Sequence, residues 1–211
     1  MSQAARRLAA VIFTFLACAS ASAAVVATNT DYAVIDGREE TRALNASARG
    51  RITDVNITVE FSKCDDPPIG TDGDACVGRG FPFENEFALV LIGPDGKSVT
   101  LVEPFVSYGV GTRGGAGRVS VTFDDEAPQA AGPRVEEGRF RPAEPLALFD
   151  GMDLFGSWTL YLRDYARSDP LEFFSASLDI AYEPAPVPEP ATLALLGLGL
   201  GLMGVRAARR R

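Results

Sequence analysis

The chain has 211 residues, with 20 Lys and Arg, 28 Asp and Glu, and no His. That length predicts one domain with short appendages, and the missing His excludes a Ser-His-Asp triad, a Cys-His pair, an imidazole base and every His-containing zinc site. Six cations sit at the two ends, so between Ala24 and Pro186 only 14 cations face 27 acids, a formal charge of −13 against −8 for the whole chain. Such a surface repels phosphate backbones and speaks against nucleic acid as a partner, while divalent cations suit it better.

The chain opens with Arg6 and Arg7, an apolar stretch from Leu8 to Ala19, and a small-residue exit, Ser20 to Ala24. A basic start, a short apolar core and an Ala-x-Ala-like site predict a secretory signal peptide over residues 1–24. Signal peptidase would cut after Ala23 or Ala24, on export across the inner membrane. Residues 25–183 are the expected folded body.

Strand periodicity dominates that body. An early strand is predicted near Tyr32–Ile35. From Ile52 to Phe61, Val55, Ile57, Val59 and Phe61 share one face, and Asp54, Asn56, Thr58 and Glu60 the other, the pattern of a half-buried strand. Phe87 to Ile92 is apolar on both faces, as in a central strand. Gly93-Pro94-Asp95-Gly96 is a turn signal, and Ser98 to Val102 returns to make a hairpin. Val119 to Phe123, Trp158 to Arg163 and Phe174 to Tyr182 also alternate, with Phe174 placed among the inward residues and Trp158 in the core. No sustained helical period interrupts them. The fold class is therefore all-β, a single antiparallel β-sandwich.

Cys18 leaves with the signal peptide. Cys64 and Cys76 remain, and an even pair in an exported chain predicts a disulfide. The loop between them carries Asp65, Asp66, Asp72 and Asp74, a candidate calcium site because hard cations take several carboxylate oxygens. A second candidate is Asp124, Asp125 and Glu126, with Asp150 or Asp153 nearby. The competing readings are a solvated acidic loop for the first, and a turn whose carboxylates cap backbone amides for the second.

Pro184, Pro186, Pro188 and Pro190 alternate over residues 184–190, and predict an extended, semi-rigid linker. Residues 191–205 form an uncharged apolar run, read as a transmembrane helix, and residues 206–211 a basic tail with Arg206, Arg209, Arg210 and Arg211. Fifteen helical residues rise about 22 Å, short of the roughly 30 Å hydrocarbon core. A marginal span before a stop-transfer cluster suits a transient hold, with a permanent anchor as the alternative.

Two family resemblances follow. Pro188-Glu189-Pro190, the apolar run and the Arg cluster resemble the PEP-CTERM sorting signal. The resemblance implies a Gram-negative, exopolysaccharide-making source. It also implies cleavage by an exosortase near Pro188–Pro190, and delivery of the body to the cell surface or extracellular matrix. Within the body, the series Ile52 to Val59, Phe87 to Gly96, Thr122 to Ala127, Gly138 to Pro142, Pro145 to Gly151, Gly156 to Leu160 and Leu162 to Asp164 resembles the P domain (P/Homo B) of kexin- and furin-like proprotein convertases. That resemblance implies a jelly-roll-like, galactose-binding-like sandwich. It departs between Ser62 and Glu86, where the acidic, cysteine-bearing loop replaces the family's short segment.

Convertase P domains stabilise a neighbouring subtilisin-like domain and carry no catalytic residues. This chain is expected to lack such a neighbour. A Ser-Lys dyad would have only Lys63 or Lys97, both placed in loops. Adjacent Asp124 and Asp125 should point opposite ways at a strand end and so fail to converge. The expectation is a non-catalytic exported surface or matrix protein, associated with exopolysaccharide or biofilm. The alternatives are an accessory module for a separately encoded subtilisin-like serine protease, and a carbohydrate-binding module.

Overall fold

The computed structural model describes residues 22–185. The expected signal peptide up to Ala21, the Pro-Glu-Pro motif, the apolar run and the basic tail lie outside the described residues, and so do the flanking helices expected there.

Among the described residues, ten strands form two sheets. They are β1 (Ser22–Asn29), β2 (Ala33–Ile35), β3 (Glu39–Ala46), β4 (Gly50–Cys64), β5 (Phe87–Ile92), β6 (Ser98–Val102), β7 (Gly115–Phe123), β8 (Gly138–Phe140), β9 (Gly156–Asp164) and β10 (Leu171–Pro184). One sheet runs β1-β10-β4-β7-β8, with β2 also on β10; the other runs β3-β9-β5-β6. Every expected strand is present, and β5 is an interior strand as its two apolar faces required. The β5–β6 hairpin closes through Gly96 N–H donating to the Gly93 carbonyl at 3.0 Å.

Period-two alternation fills the space between the sheets. Ile57, Val59 and Phe61 of β4 and Ala176, Leu178 and Ile180 of β10 meet Leu89 and Leu91 of β5 and Trp158, Leu160 and Leu162 of β9. Trp158 is fully buried, as expected, and donates its indole N–H to the Leu154 carbonyl at 3.0 Å. Its ring meets Phe149 edge-on at 4.9 Å.

Four expectations are corrected. The sandwich is not wholly antiparallel: β7 and β8 pair in parallel. Parallel neighbours need a crossover of about a dozen residues or more, and residues 124–137 supply it. Phe174 is not in the inward set. Against β4, Phe173 pairs with Phe61 and Ser175 with Glu60, so Phe174 is the extra residue of a bulge. Phe173 takes the core position, and the Phe174 ring lies beneath the Arg118 guanidinium, 4.2 Å from it. Pro184 belongs to β10, opposite Gly50, and not to the linker. Finally, Lys63 stands in β4, not in a loop, and is fully buried.

Candidate functional site

The apolar outer face of strand β5 floors a groove of about 280 Å³ on the four-stranded sheet. Ala88 and Val90 of β5 and Thr100 of β6 make the floor, Tyr161 and Tyr165 stand on one side, and Glu103, Pro104 and Glu144 on the other. The alternation that sends Leu89, Leu91, Leu160 and Leu162 inward turns Val90 and Tyr161 outward.

The walls are fixed. Tyr161 donates its hydroxyl to Glu39 Oε2 at 2.6 Å, which holds the phenol above its ordinary pKa. Arg163 donates to the same oxygen at 3.1 Å and lies 4.6 Å over the Tyr165 ring. Tyr165 in turn is 5.7 Å from Phe105, which is 61% exposed and held at a φ of 64°. A bulky residue in that left-handed region is strained, and such strain clusters at functional sites. Opposite, Glu144 N–H donates to the Thr100 carbonyl at 2.9 Å, and Thr100 N–H donates to Glu144 Oε2 at 2.7 Å. The Thr100 N–H, helped by the Thr100 side chain, keeps the Glu144 carboxylate below its usual pKa. The groove thus offers two tyrosine side chains and acidic acceptors over an apolar floor, suited to a ligand with hydroxyl donors at its edge.

A second surface lies on the loops after β4 and β6. Phe81, Phe83, Phe105, Val106 and Val110 are all more than half exposed. The loops are laced together rather than loose: Gly111 N–H donates to the Pro82 carbonyl at 2.9 Å, Gly114 N–H to the Gly80 carbonyl at 2.7 Å, and Phe83 N–H to Asp169 Oδ2 at 3.2 Å.

The expected disulfide joins Cys64, at the end of β4, to Cys76, with Cα atoms 5.5 Å apart. The candidate calcium residues do not converge. Asp65 accepts the Gly80 N–H at 2.6 Å, and the Asp74 carbonyl accepts the Arg118 N–H at 2.8 Å. Asp66, Asp72 and Asp74 join Asp65 in no common cage. Asp124 is buried, accepts the Glu126 N–H at 2.8 Å and pairs with Arg139. Asp125 turns away and accepts the N–H groups of Leu146 at 3.0 Å and Ala147 at 2.8 Å. Asp153 accepts from Gly50 and Phe155. Burial, followed by Asp54 and Asp125, pushes Asp150 up. Among the described residues no group of three or more Cys, Asp and Glu assembles a metal cage. The amide-capping alternative describes Asp124 and Asp125.

Sequence reasoning missed Glu172, Glu84 and the Lys63 cluster. Glu172 is fully buried at the start of β10 and accepts from the Tyr32 hydroxyl at 2.7 Å, the Ser62 hydroxyl at 2.8 Å, and the N–H groups of Ile69 at 2.7 Å and Gly70 at 2.8 Å. Glu84 accepts the Val135 N–H at 2.8 Å, and burial pushes its carboxyl up. Lys63 sits among Glu86, Asp164 and the Asp169 carbonyl.

Strand β10 ends beside a cavity of about 470 Å³ lined by Gly50, Arg51, Met152, Asp153 and Pro184. Residues 186–211, which follow it, match the PEP-CTERM protein-sorting motif. The chain carries the PEP-CTERM sorting motif. That motif implies exosortase processing and export to the cell surface or extracellular space. No helix among the described residues is long and apolar enough to cross a membrane. No curated protein matches the chain. Among solved structures, it is similar to the Aeromonas sobria serine protease in complex with its ORF2 chaperone, at TM-score 0.46 and 14% identity, over 79% of this chain and 28% of that one. The serine protease of Aeromonas sobria is similar at TM-score 0.45 and 13% identity, over 78% of this chain and 27% of that one. PfGH50B is similar at TM-score 0.34 and 13% identity, over 79% and 24%. The chain therefore spans under a third of the length of each of these distant likenesses.

Proposed function

We propose that this is an exported, exosortase-processed surface or matrix protein whose sandwich is a non-catalytic binding module, jelly-roll-like and akin to convertase P domains. The observation that carries the reading is the PEP-CTERM motif over residues 186–211, directly after the last strand. Signal peptidase removes residues 1–24, the apolar run 191–205 holds the chain at the membrane until exosortase cuts near Pro188–Pro190, and the body joins the exopolysaccharide outside. Mass spectrometry of the surface-exposed protein tests this: a C-terminus near Pro188–Pro190 is expected, and a mature form retaining Arg206 to Arg211 overturns it.

The groove supports a saccharide as the ligand. Tyr161 and Tyr165 supply faces for a sugar ring, and Glu103 and Glu144 accept its hydroxyls. Retention on exopolysaccharide from the producing cell is expected to fall at least about tenfold in a Tyr161→Ala, Tyr165→Ala double variant, as loss of two aromatic contacts predicts. Undiminished retention by a folded double variant removes the groove from this reading.

A second reading is favoured by the exposed Phe81, Phe83, Phe105, Val106 and Val110, since a rigid apolar surface of this kind suits a protein partner. The partner would be a separately encoded subtilisin-like protease, which the sandwich stabilises. A Phe81→Ser, Phe83→Ser variant should lose that protease and keep the saccharide, since neither residue lines the groove; the reverse result moves the binding site to the wrong surface for this reading.

A further inference from the structure

Two inward stripes end on opposite charges. On β4 the sequence Ile57, Val59, Phe61 continues to Lys63, and on β9 Trp158, Leu160, Leu162 continues to Asp164. The strands belong to different sheets, so the two residues meet between the layers, both side chains fully buried. Lys63 Nζ lies 2.8 Å from Asp164 Oδ2 and 3.2 Å from Glu86 Oε1, and also donates to the Asp169 carbonyl. Asp164 receives two backbone donors: Ala166 N–H on Oδ1 at 3.0 Å and Leu171 N–H on Oδ2 at 3.1 Å.

Charges held in a dry interior are costly. Burial pushes the Asp164 and Glu86 carboxyls up, toward their protonated forms. Passing a proton from the ammonium to a carboxylate removes both charges and leaves an amine nucleophile against a carboxylic acid. Nucleophile, electrophile, a second carboxyl within reach of the moving proton, and a backbone donor on the carbonyl oxygen are then all in place.

We propose that Lys63 and Asp164 condense into an intramolecular amide that bonds the two sheets, with Glu86 as the catalytic proton carrier. Nζ attacks Cγ of the protonated Asp164, forming the C–N bond, and the charge that develops on Oδ1 is met by the Ala166 N–H. Glu86 takes a proton from Nζ and delivers it to Oδ2. The Cγ–Oδ2 bond breaks, and Oδ2 departs as water. One amine and one carboxylic acid become one amide and one water, with no oxidant or co-reactant. Exclusion of bulk water from the site opposes the reverse hydrolysis.

The test is a tryptic digest of the purified, denatured and reduced chain, read by mass spectrometry. The expected product is a branched peptide in which the Lys63 segment is joined to the Asp164 segment, lighter by one water than the two together, with no cleavage after Lys63. A Glu86→Gln variant is expected to give both peptides unjoined. Cleavage after Lys63 in the wild-type digest, with the Asp164 peptide at its full mass, overturns the proposal whether or not the variant folds. A join from Lys63 to Glu86 overturns the assignment of Asp164.

Discussion

The backbone N–H of Ile69 donates to Glu172 Oε2 at 2.7 Å, so a carboxylate at the start of the last strand fastens a loop that follows β4. Gly70, Tyr32 and Ser62 donate to the same carboxylate. Replacing Glu172 with Ala leaves four donors without that partner. Each buried donor left unmet costs about 1–3 kcal/mol, and water reaching the vacated space will offset part of the total. A loss of about 3 kcal/mol in urea unfolding is expected, with faster hydrogen exchange at Ile69 and Gly70. Unchanged exchange at those amides contradicts the fastening role.

The Cys64–Cys76 bridge closes a short loop. Chain entropy gives such a bridge about 3 kcal/mol, lost when both residues become Ser. Unfolding with and without reductant measures it directly. Reductant should move the wild-type midpoint and leave that of the double variant in place.

Glu60 and Arg118 cross the outer face of the six-stranded sheet as a two-bond pair, at 2.9 and 3.0 Å. The Arg118 hydrogen bonds hold the Glu60 carboxyl below its usual pKa, and Ser175 adds to the effect. A carboxylate with a lowered folded pKa contributes stability above its unfolded pKa and loses it as pH falls through the folded value. The wild-type melting temperature should therefore converge on that of Glu60→Gln in acid and exceed it at neutral pH. A gap that is the same at both ends of a pH series rules this pair out as its source.

Trp158 is the single tryptophan and is fully buried against Phe149. Its emission should be blue-shifted in the native protein and move to the red on unfolding. Truncation to Ala should cost about 3–5 kcal/mol, as for other large aromatic core residues. A native protein with solvent-like emission would place Trp158 at the surface and undo the packing described for β9.

The strands legible in the sequence were those whose inward positions are all apolar, such as Val55 to Phe61 and Trp158 to Leu162. Strand β3 was hidden because its inward residues are Arg42, Leu44 and Ala46: Arg42 directs its guanidinium to the Asp31 carbonyl at 2.7 Å and to the Phe173 ring. Strand β1 overlaps the small-residue exit of the signal segment, and β8 has too few residues to show a period. The Phe174 bulge is set by its partner strand, which a local pattern does not contain. The Lys63 cluster could have been found by carrying each inward stripe two residues further, onto Lys63 and Asp164. The groove could not. Thr100, Glu144, Tyr161 and Tyr165 come together only when β6, β9 and the segment before Leu146 are assembled.

Strand β10 has a direction as well as a position. It starts at Leu171, beside the loops that carry Phe81, Phe83 and Phe105, and ends at Pro184, where the chain continues into the sorting motif. Fourteen residues at about 3.3 Å each separate those points by roughly 45 Å. The point where the sorting motif leaves the sandwich and the aromatic loops are therefore held at opposite ends of one strand.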